Sequence, residues 1–416
     1  MNWTVKTYPR DDGKTRQPYS KSVVVGNLVF LSGMTGANPD TGEMDSDKIE
    51  DQVATALDKV RIALEETGSS MNHIVKITDY IKEVKDYPRM QKTELEYFQK
   101  HAPLLLKEPP ACTLVQPRSM DTSKFLAGMD MIGVISLDEP GWEVKKYPAF
   151  WRGEKQPYSK FVVVGNLLLP SAIGPENPDT GKVESDNLEK QLLAVHDNMK
   201  RTLEEAGSSM NNIVKTFHHL REGLPRRMWK SELEYYQKHA RVLIEENPPA
   251  STFWQLSALA KSDYLVEIDM IAAISRNKPG WEVKKYPLYY GDVKRYFTKW
   301  VSVGNLMFLS GNAGGTPLTG EIQSDDLRHQ TLQSFVRTKL GMEAAGSSLN
   351  NIIRSLHLVK NLEDIPHIVE IEMEYYREHA PRLLEDPPVS TFVQPYSLAN
   401  PRYQVEIEHI GVISRR

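Results

Sequence analysis

The sequence predicts an α+β chain made of three tandem copies of one domain, each with the element order ββαβαββ, a mixed sheet and two helices. The first observation is a repeat: the motif W(T/E)VK(T/K)YP begins at Trp3, Trp142 and Trp281, in steps of 139 residues. The second is that strand and helix periodicities alternate within each copy. The third is that short polar junctions with Pro-Gly precede the second and third copies. The predicted domains are residues 1–139, 140–278 and 279–416.

Repeat 1 shows the elements in order. Residues 22–32 are an apolar run interrupted at Gly26 and Asn27, a pair that favours the positive φ of a two-residue hairpin loop. From Asp47 onward, apolar residues recur at helical spacing, and Gly68 ends the run. The sequence therefore predicts a hairpin followed by an amphipathic helix.

The second half of the repeat predicts one strand, one helix and two final strands. Residues 73–81 have strand character, and Pro88 opens a helix that runs to about residue 102. The last two strands are predicted at residues 112–116 and 125–135. Because both helices then cover one face of the sheet, its other face needs a partner, and three such sheets can cover each other.

Composition excludes several classes of function. The 416 residues carry a net charge of −4, which gives no basic surface for nucleic acid. The single cysteine, Cys112, excludes a disulfide framework and a cysteine-built metal site and fits a reducing compartment, so we expect a cytoplasmic protein. The start of the chain has no signal-peptide pattern, and no stretch approaches 18 apolar residues, so we expect no membrane partner.

Several segments resemble the RidA (YjgF, L-PSP endoribonuclease-like) family, and they do so three times. They include PYSK, VVVGNLVFLSG, the helix ending in GSS, IVKITDYI, and the closing strands VEIDMIAAIS and VEIEHIGVIS. The resemblance implies a chorismate-mutase-like fold and a trimer with a small-molecule cleft at each subunit interface. In one chain this would be an intramolecular pseudo-trimer, either monomeric or paired into a dimer. It also implies hydrolytic deamination of enamines or imines without a metal or organic cofactor.

The resemblance also assigns cleft residues. Glutamates that orient the attacking water match Glu267 and Glu406, whereas repeat 1 has Gly128. The cleft serines are Ser32, Ser171 and Ser310, the Cys/Thr positions are Thr113, Thr252 and Thr391, and the tyrosine is kept as Tyr19 and Tyr158 but replaced by Phe297. Arg118, with its equivalents Ser257 and Tyr396, is a further cleft-region position that differs between copies.

Family members bind the substrate carboxylate with an arginine, and this chain has Ala111, Ala250 and Val389 at the corresponding positions. None of these can make charge-assisted hydrogen bonds to a carboxylate, so the usual 2-imino-acid anchor is predicted to be absent. A fused chain, unlike a homotrimer, lets each cleft change separately. We therefore expect one or two clefts to be functional and the others to be structural.

Other side chains have competing interpretations. Lys21, Lys160 and Lys299 recur in the three repeats, each of which also keeps its serine after the hairpin, and this pattern allows Lys-Ser catalysis on an amide or lactam. Solvated lysines at a strand start and serines that end a hairpin are the simpler explanation. The histidines, including His218 and His219, are predicted to be structural, because neighbours on a strand point to opposite faces and cannot share one metal easily. If aromatic residues line a cleft, the substrate is expected to be more apolar than an imino acid.

The leading prediction is cofactor-free hydrolysis or deamination of a small nitrogen-containing metabolite in an inter-repeat cleft. The first alternative is a noncatalytic small-molecule-binding or chaperone-like protein, which the missing arginines favour. The second alternative is a Lys/Ser ring-opening amidohydrolase or a lyase.

Overall fold

Repeat 1 is a six-membered mixed sheet with helices on one face. The computed structural model describes residues 3–11, 16–38, 41–120, 122–221, 228–246 and 248–415. The elements of repeat 1 are β1 (Val5–Asp11), β2 (Arg16–Val25), β3 (Leu28–Leu31), β4 (Met34–Thr35), α1 (Ile49–Glu66), β5 (Ile74–Ile81), α2 (Tyr87–His101), α3 (Leu104–Lys107), β6 (Ala111–Val115), β7 (Ser119–Met120) and β8 (Ala127–Val134).

Repeats 2 and 3 follow the same plan. Repeat 2 has β9 (Val144–Trp151), β10 (Glu154–Val164), β11 (Leu167–Pro170), α4 (Leu188–Glu205), β12 (Ile213–Arg221), α5 (Met228–His239), α6 (Arg241–Glu246), β13 (Ala250–Leu256) and β14 (Val266–Ala273). Repeat 3 has β15 (Val283–Tyr290), β16 (Val293–Val303), β17 (Leu306–Leu309), β18 (Asn312–Ala313), α7 (Leu327–Ala344), β19 (Ile352–Val359), α8 (Ile365–His379), α9 (Arg382–Glu385), β20 (Val389–Gln394), β21 (Ser397–Leu398) and β22 (Val405–Val412).

The sheet of repeat 1 has the order β1-β2-β3-β8-β5-β6, in which β5 and β6 are parallel and the other neighbours are antiparallel. The predicted ββαβαββ order is confirmed, with one more strand at the start of each repeat. Among the described strands, β1 pairs only with β2, and it carries Lys6 and Pro9. Charge and proline are typical of an edge strand, and they hide the apolar alternation by which a strand is recognised.

The predicted hairpin loop has the expected backbone. Gly26, Gly165 and Gly304 have φ of 59°, 61° and 58°, a region that glycine enters without steric cost. The predicted first helix is confirmed as α1, and Gly68, with φ of 83°, follows its end. None of the helices within the described residues is both long and apolar enough to cross a membrane.

The uncovered faces of the three sheets pack on one shared hydrophobic core. It contains equivalent residues of every repeat, for example Val25, Val164 and Val303, all fully buried. At one end, Trp3, Trp142 and Trp281 form a ring of edge-to-face contacts with centroids 4.5–4.9 Å apart. Smaller separate cores fill the space between each sheet and its own helices. The three repeats therefore form one closed arrangement around a common core and are not separate domains.

Backbone hydrogen bonds join each repeat to the next. Ser20 N donates to Pro388 O at 2.8 Å, Ser159 N to Pro110 O at 2.7 Å, and Thr298 N to Pro249 O at 3.1 Å. In each case the residue just before a strand of one repeat (β6, β13 or β20) is bonded to the first hairpin strand of the neighbouring repeat. Three inter-repeat junctions result: 1/2, 2/3 and 3/1.

Candidate functional site

The three serines predicted to be catalytic lie at these junctions and join the repeats. Ser310 Oγ donates to Thr298 O at 2.6 Å and accepts from Ser251 N at 2.9 Å. Ser32 and Ser171 make the same pair of bonds, to Ser20 O and Ser390 N and to Ser159 O and Cys112 N respectively. Because each hydroxyl proton is already donated to a carbonyl, this geometry gives the serines a structural role at the junction.

The predicted Lys-Ser pairs are not formed. Lys21 Nζ pairs with Glu66 Oε2 at 2.5 Å, and Lys160 pairs with Glu205. Lys299 Nζ lies 5.8 Å from the centre of the Tyr286 ring, and its pKa is lowered by burial and by nearby Arg337. None of the three lysines has a hydrogen bond to its serine side chain among the described contacts, so the Lys/Ser mechanism has no geometric support.

The predicted substrate-binding threonines belong to a buried ring of charges that the sequence interpretation missed. Thr113 Oγ1 accepts from Lys76 Nζ at 2.9 Å and donates to Asp269 Oδ2 at 2.7 Å, while Lys76 Nζ lies 2.9 Å from Asp269 Oδ1. The same set recurs as Thr252, Lys215 and Glu408, and as Thr391, Arg354 and Asp130. Each ion pair crosses a junction. The available signal was a lysine or arginine at the same place in three corresponding strands.

Burial affects both the pKa values and the stability of the paired charges in this ring. Burial lowers the pKa of Lys215 because it disfavours the charged form, and the neighbouring Glu408 carboxylate offsets this only in part. Removing either partner of such a pair would leave an uncompensated buried charge. The ring therefore fixes which repeat packs against which.

The positions compared with the family arginine do not face a cleft. Ala111, Ala250 and Val389 are fully buried in the shared core. Since side chains alternate along a strand, the next residue points the other way, toward the helices. In repeats 2 and 3 that residue is Ser251 or Ser390. The alanine and valine side chains therefore offer no polar group to a cleft, and the absence of the carboxylate anchor stays a prediction.

Ser251 and Ser390 each contact a buried histidine backed by a glutamate. Ser251 Oγ lies 3.2 Å from His218 Nδ1, and His218 Nε2 lies 2.8 Å from Glu232 Oε1. In repeat 3, Ser390 Oγ lies 3.1 Å from His357 Nδ1, and His357 Nε2 lies 3.3 Å from Glu372 Oε2. The sequence analysis did not predict these Ser-His-Glu sets, because their members are far apart in the chain and lie on two strands and a helix.

Repeat 1 replaces that set with two acids. Cys112 Sγ lies 3.3 Å from Asp79 Oδ2, and Asp79 is hydrogen-bonded to Glu94. Burial raises the pKa of Asp79 to about 7 and that of Glu94 well above its ordinary value. Both carboxyl groups therefore favour the neutral form more strongly than an exposed acid does.

His218 and His219 point to opposite faces of β12, as predicted. His218 faces α5 and Glu232, whereas His219 Nδ1 lies 3.9 Å from Glu267 Oε1 on the face toward the shared core. In the part of the chain that the structure describes, no group of three or more His, Cys, Asp or Glu side chains is arranged to hold a metal ion.

The three family glutamate positions have different surroundings. At junction 3/1 a Cβ on Gly128 would lie 2.9 Å from Met120 Sδ, so Met120 packs against the position where a glutamate side chain would begin. At junction 1/2 Glu267 is buried, and neither carboxylate oxygen has a hydrogen-bond partner among the described residues. Tyr264 closes this junction: its ring lies where a Cβ on Gly174 would be.

At junction 2/3 the glutamate is Glu406. A Cβ on Gly311 would overlap Glu406 Oε1, so only glycine allows the carboxylate to lie against this backbone. Burial raises the pKa of Glu406 to about 7, although Lys215 and Arg337 favour its charged form. We therefore expect the Glu406 carboxyl group to change protonation near neutral pH.

An open groove lies at the same junction. Its cavity of about 390 Å³ is lined from repeat 2 by Trp229 and Phe253 and from repeat 3 by residues that include Arg295 and Tyr403. Phe297 lines this groove and also a smaller inner cavity that contains Ser310 and Arg337. Phe297 therefore stands between the aromatic groove and the polar end of the junction.

The remaining predicted residues are separated from this groove. Tyr19 and Tyr158 are half-buried at the other two junctions, and burial raises the pKa of Tyr158. Arg118 is exposed, and its guanidinium carbon lies 4.7 Å from the centre of the Tyr396 ring. Arg118 thus joins repeats 1 and 3 at the surface.

Comparison with known proteins gives the family. The sequence profile described as Endoribonuclease L-PSP matches residues 11–135, 153–274 and 292–413, which are most of the chain. A RutC family protein of Pyrococcus abyssi is 36% identical over 86 residues, 21% of this chain and 68% of that protein. The 2-iminobutanoate/2-iminopropanoate deaminase of Dermatophagoides farinae is 36% identical over 86 residues, 21% and 67% of the two chains.

A solved structure extends the likeness of fold beyond one repeat. A chorismatase structure aligns with 83% of this chain and 96% of its own length, with a TM-score of 0.52 and 11% identity, which shows a shared fold alone. The three profile matches agree with the three repeats of the fold. The chain belongs to the RidA (YjgF, L-PSP) family and carries three tandem copies of its domain.

Proposed function

We propose that this protein is a single-chain counterpart of a RidA trimer and that it hydrolyses the C=N bond of a small imine or enamine at junction 2/3. The reaction would consume one water and release ammonia and a carbonyl compound, with no cofactor. The observation that carries the proposal is Glu406, a buried carboxyl group with a pKa near 7 held against the Gly311 backbone. The names of several relatives, which are imine deaminases, support the same chemistry.

Glu406 has the properties of a group that takes and returns a proton at neutral pH. As its carboxylate, it would accept a proton from water while the water oxygen bonds to the imine carbon, and it would then return that proton to the nitrogen. The resulting amino alcohol would lose ammonia when its C–N bond breaks, and its hydroxyl proton would move to the leaving nitrogen. Atoms balance without an oxidant or reductant.

The same proposal covers location and assembly. One cysteine fits the cytoplasm, where reactive imines arise during amino-acid metabolism. Since all three junctions lie within one chain, no second chain would be needed to complete the cleft. A monomer, or a dimer of such chains, would be the working form.

The test is ammonia release from imines made freshly by an amino-acid oxidase. Glu406→Gln keeps the size of the side chain but removes the base, and we expect it to lower kcat by about 10²–10⁴-fold. Glu267→Gln is the matched control and should retain the wild-type rate. Equal rates for wild type and Glu406→Gln, or loss of activity in Glu267→Gln alone, would contradict the proposal. Tight binding of a metabolite without any turnover would favour the noncatalytic alternative.

A second candidate is acyl transfer by Ser251, which takes the place of the Lys/Ser alternative. Burial raises the pKa of Glu232, but His218 and His196 outweigh it and hold the carboxyl group ionised. An ionised Glu232 accepts the His218 Nε2 proton, which leaves Nδ1 free to accept the Ser251 hydroxyl proton.

In that reaction Ser251 Oγ would attack an ester or amide carbonyl, His218 would pass the hydroxyl proton to the leaving group, and water would release the acyl group. A fluorophosphonate probe tests it by mass spectrometry. Modification of Ser251 that disappears in His218→Gln would support the candidate. An unmodified Ser251 after prolonged exposure would rule it out.

A further inference from the structure

The groove at junction 2/3 is predominantly aromatic. Of the described lining residues, six carry aromatic rings: Trp229, Phe253, Tyr290, Tyr296, Phe297 and Tyr403. The Trp229 and Phe253 ring centres are 5.9 Å apart. Rings from two repeats therefore face one cavity, and their faces and edges suit a flat apolar group.

One cation lies among these rings. Arg295 is the one charged side chain among the described groove-lining residues. Its Nε is buried and has no hydrogen-bond partner, and the guanidinium carbon lies 5.1 Å from the centre of the Tyr290 ring. Among the described residues it forms no ion pair with an acid. A buried guanidinium donor without a partner is costly, and an anion in the groove would satisfy it.

Neither other junction combines these features. By the repeat step, Arg295 corresponds to Gln156 in repeat 2 and to a glutamine in repeat 1. Trp229 corresponds to Gln91 in α2. Tyr403 stays half-buried at the rim, whereas its equivalent Tyr264 folds inward over its own junction. Within the part of the molecule that the structure describes, only junction 2/3 therefore combines a groove lined by several rings with a buried guanidinium nitrogen that has no hydrogen-bond partner.

We propose that this groove binds an aromatic carboxylate, with the ring between Trp229, Phe253 and Phe297 and the carboxylate on Arg295. Arg295 thus supplies from a different element the anchor that the family arginine position lacks. Insofar as it names a substrate, the inference rests on the proposed function, and the substrate is then the imine of an aromatic 2-oxo acid. Binding itself does not depend on Glu406.

The dimensions fit one ring with a short acidic side chain. A cavity of about 390 Å³ is near the lower end of the range for small-molecule sites, roughly 300–1,000 Å³. The inner cavity beyond Phe297 holds Arg337, whose Nη2 donates to Tyr290 OH at 2.7 Å. Tyr290 therefore lies between two guanidinium groups and is fixed in place as a wall of the groove.

The experiment measures binding of two 2-oxo acids to the full chain by calorimetry, with tryptophan fluorescence as a second readout. Phenylpyruvate offers a ring and a carboxylate, and pyruvate offers the carboxylate alone. We expect phenylpyruvate to bind at least tenfold more tightly than pyruvate. Arg295→Gln, which installs the residue of the other repeats at a half-buried position, should weaken phenylpyruvate binding about tenfold or more. It should leave binding of the neutral benzyl methyl ketone unchanged.

Two variants separate this inference from the proposed function. Glu406→Gln should still bind phenylpyruvate, so binding without turnover would contradict the catalytic proposal and leave the ligand class intact. Gln156→Ala is the matched control and should bind as wild type does. Equal affinity for phenylpyruvate and pyruvate, or phenylpyruvate binding that Arg295→Gln does not change, would overturn the inference.

Discussion

Junctions 1/2 and 2/3 are built from equivalent positions of the repeated domain, but their surfaces differ. At 1/2, Gly174 leaves room for the Tyr264 ring, and Glu267 is buried without a hydrogen-bond partner among the described residues. At 2/3, Ala313 takes the place of Gly174, and its partner Tyr403 lines an open groove. The glycine therefore admits the Tyr264 ring at junction 1/2, whereas an alanine stands at the equivalent position of junction 2/3.

The comparison shows what fusion into one chain allows. A homotrimer repeats each substitution at all three interfaces, so a change that closes one cleft closes every cleft. In this chain Met120 packs against the glutamate position of junction 3/1 and Tyr264 closes 1/2, while 2/3 keeps a glutamate, a glycine beneath it and a groove. On the proposed function, the two closed junctions serve stability and the open one carries the reaction.

The largest expected effect concerns stability at the closed junction. Lys76→Met leaves Asp269 buried without its cation, and we expect it to lower the free energy of unfolding by about 3–5 kcal/mol. Lys215→Met should cost less, because Glu408 Oε1 keeps Arg354 Nη1 at 3.6 Å. Chemical denaturation measures both values. A larger loss in Lys215→Met would show that the second cation does not compensate.

The next effect concerns the open junction. Gly311→Ala installs the residue found at Ala172, and its Cβ would displace the Glu406 carboxylate. We expect kcat for imine hydrolysis to fall about 100-fold, since the base loses its position. The reverse change, Ala172→Gly, is the control and should leave the rate unaltered. A fully active Gly311→Ala would break the distinction between the two junctions.

A smaller effect is expected from the residue that closes junction 1/2. Gly174→Ala adds a Cβ that overlaps the Tyr264 ring and forces it outward. Overpacking of this kind costs about 1–3 kcal/mol. Thermal unfolding should therefore shift downward, and the exposed tyrosine should become accessible to iodination. An unchanged melting temperature with Tyr264 still protected would argue against its role as the closing side chain.

The smallest effect is a pH dependence that sharpens the role of Glu406. Its pKa is raised from 4.5 to about 7, so the folded state holds a proton that the unfolded state has lost between those values. Its contribution to stability is thus fully present below pH 4.5 and is lost as the pH rises to 7. Activity should change in the opposite sense and rise toward pH 7 as the base ionises. Comparison of wild type with Glu406→Gln in both assays isolates this residue from Asp79, which has a similar pKa.

Much of the fold follows from local pattern. The 139-residue step, the Gly26-Asn27 loop and the helical spacing before Gly68 are short-range signals, and the structure confirms each of them. Strand β1 was not predicted, because an edge strand that carries Lys6 and Pro9 lacks the alternation of apolar residues by which strands are recognised.

The site was less predictable because it depends on contacts between repeats. Glu406 was found through the family pattern, but its selection over Glu267 rests on Gly311 and Tyr264, which sequence alone does not connect. Ser251, His218 and Glu232 lie far apart in the chain and meet only when α5 packs on the sheet. Arg295 carries no motif, and its importance comes from the rings around it.

The central claim is that one of three equivalent positions is open. Calorimetric titration of the full chain with phenylpyruvate, repeated on Arg295→Gln, tests it most directly. The account predicts one bound molecule per chain and a large loss of affinity in the variant. Three equivalent sites per chain, unaffected by the change at Arg295, would contradict it.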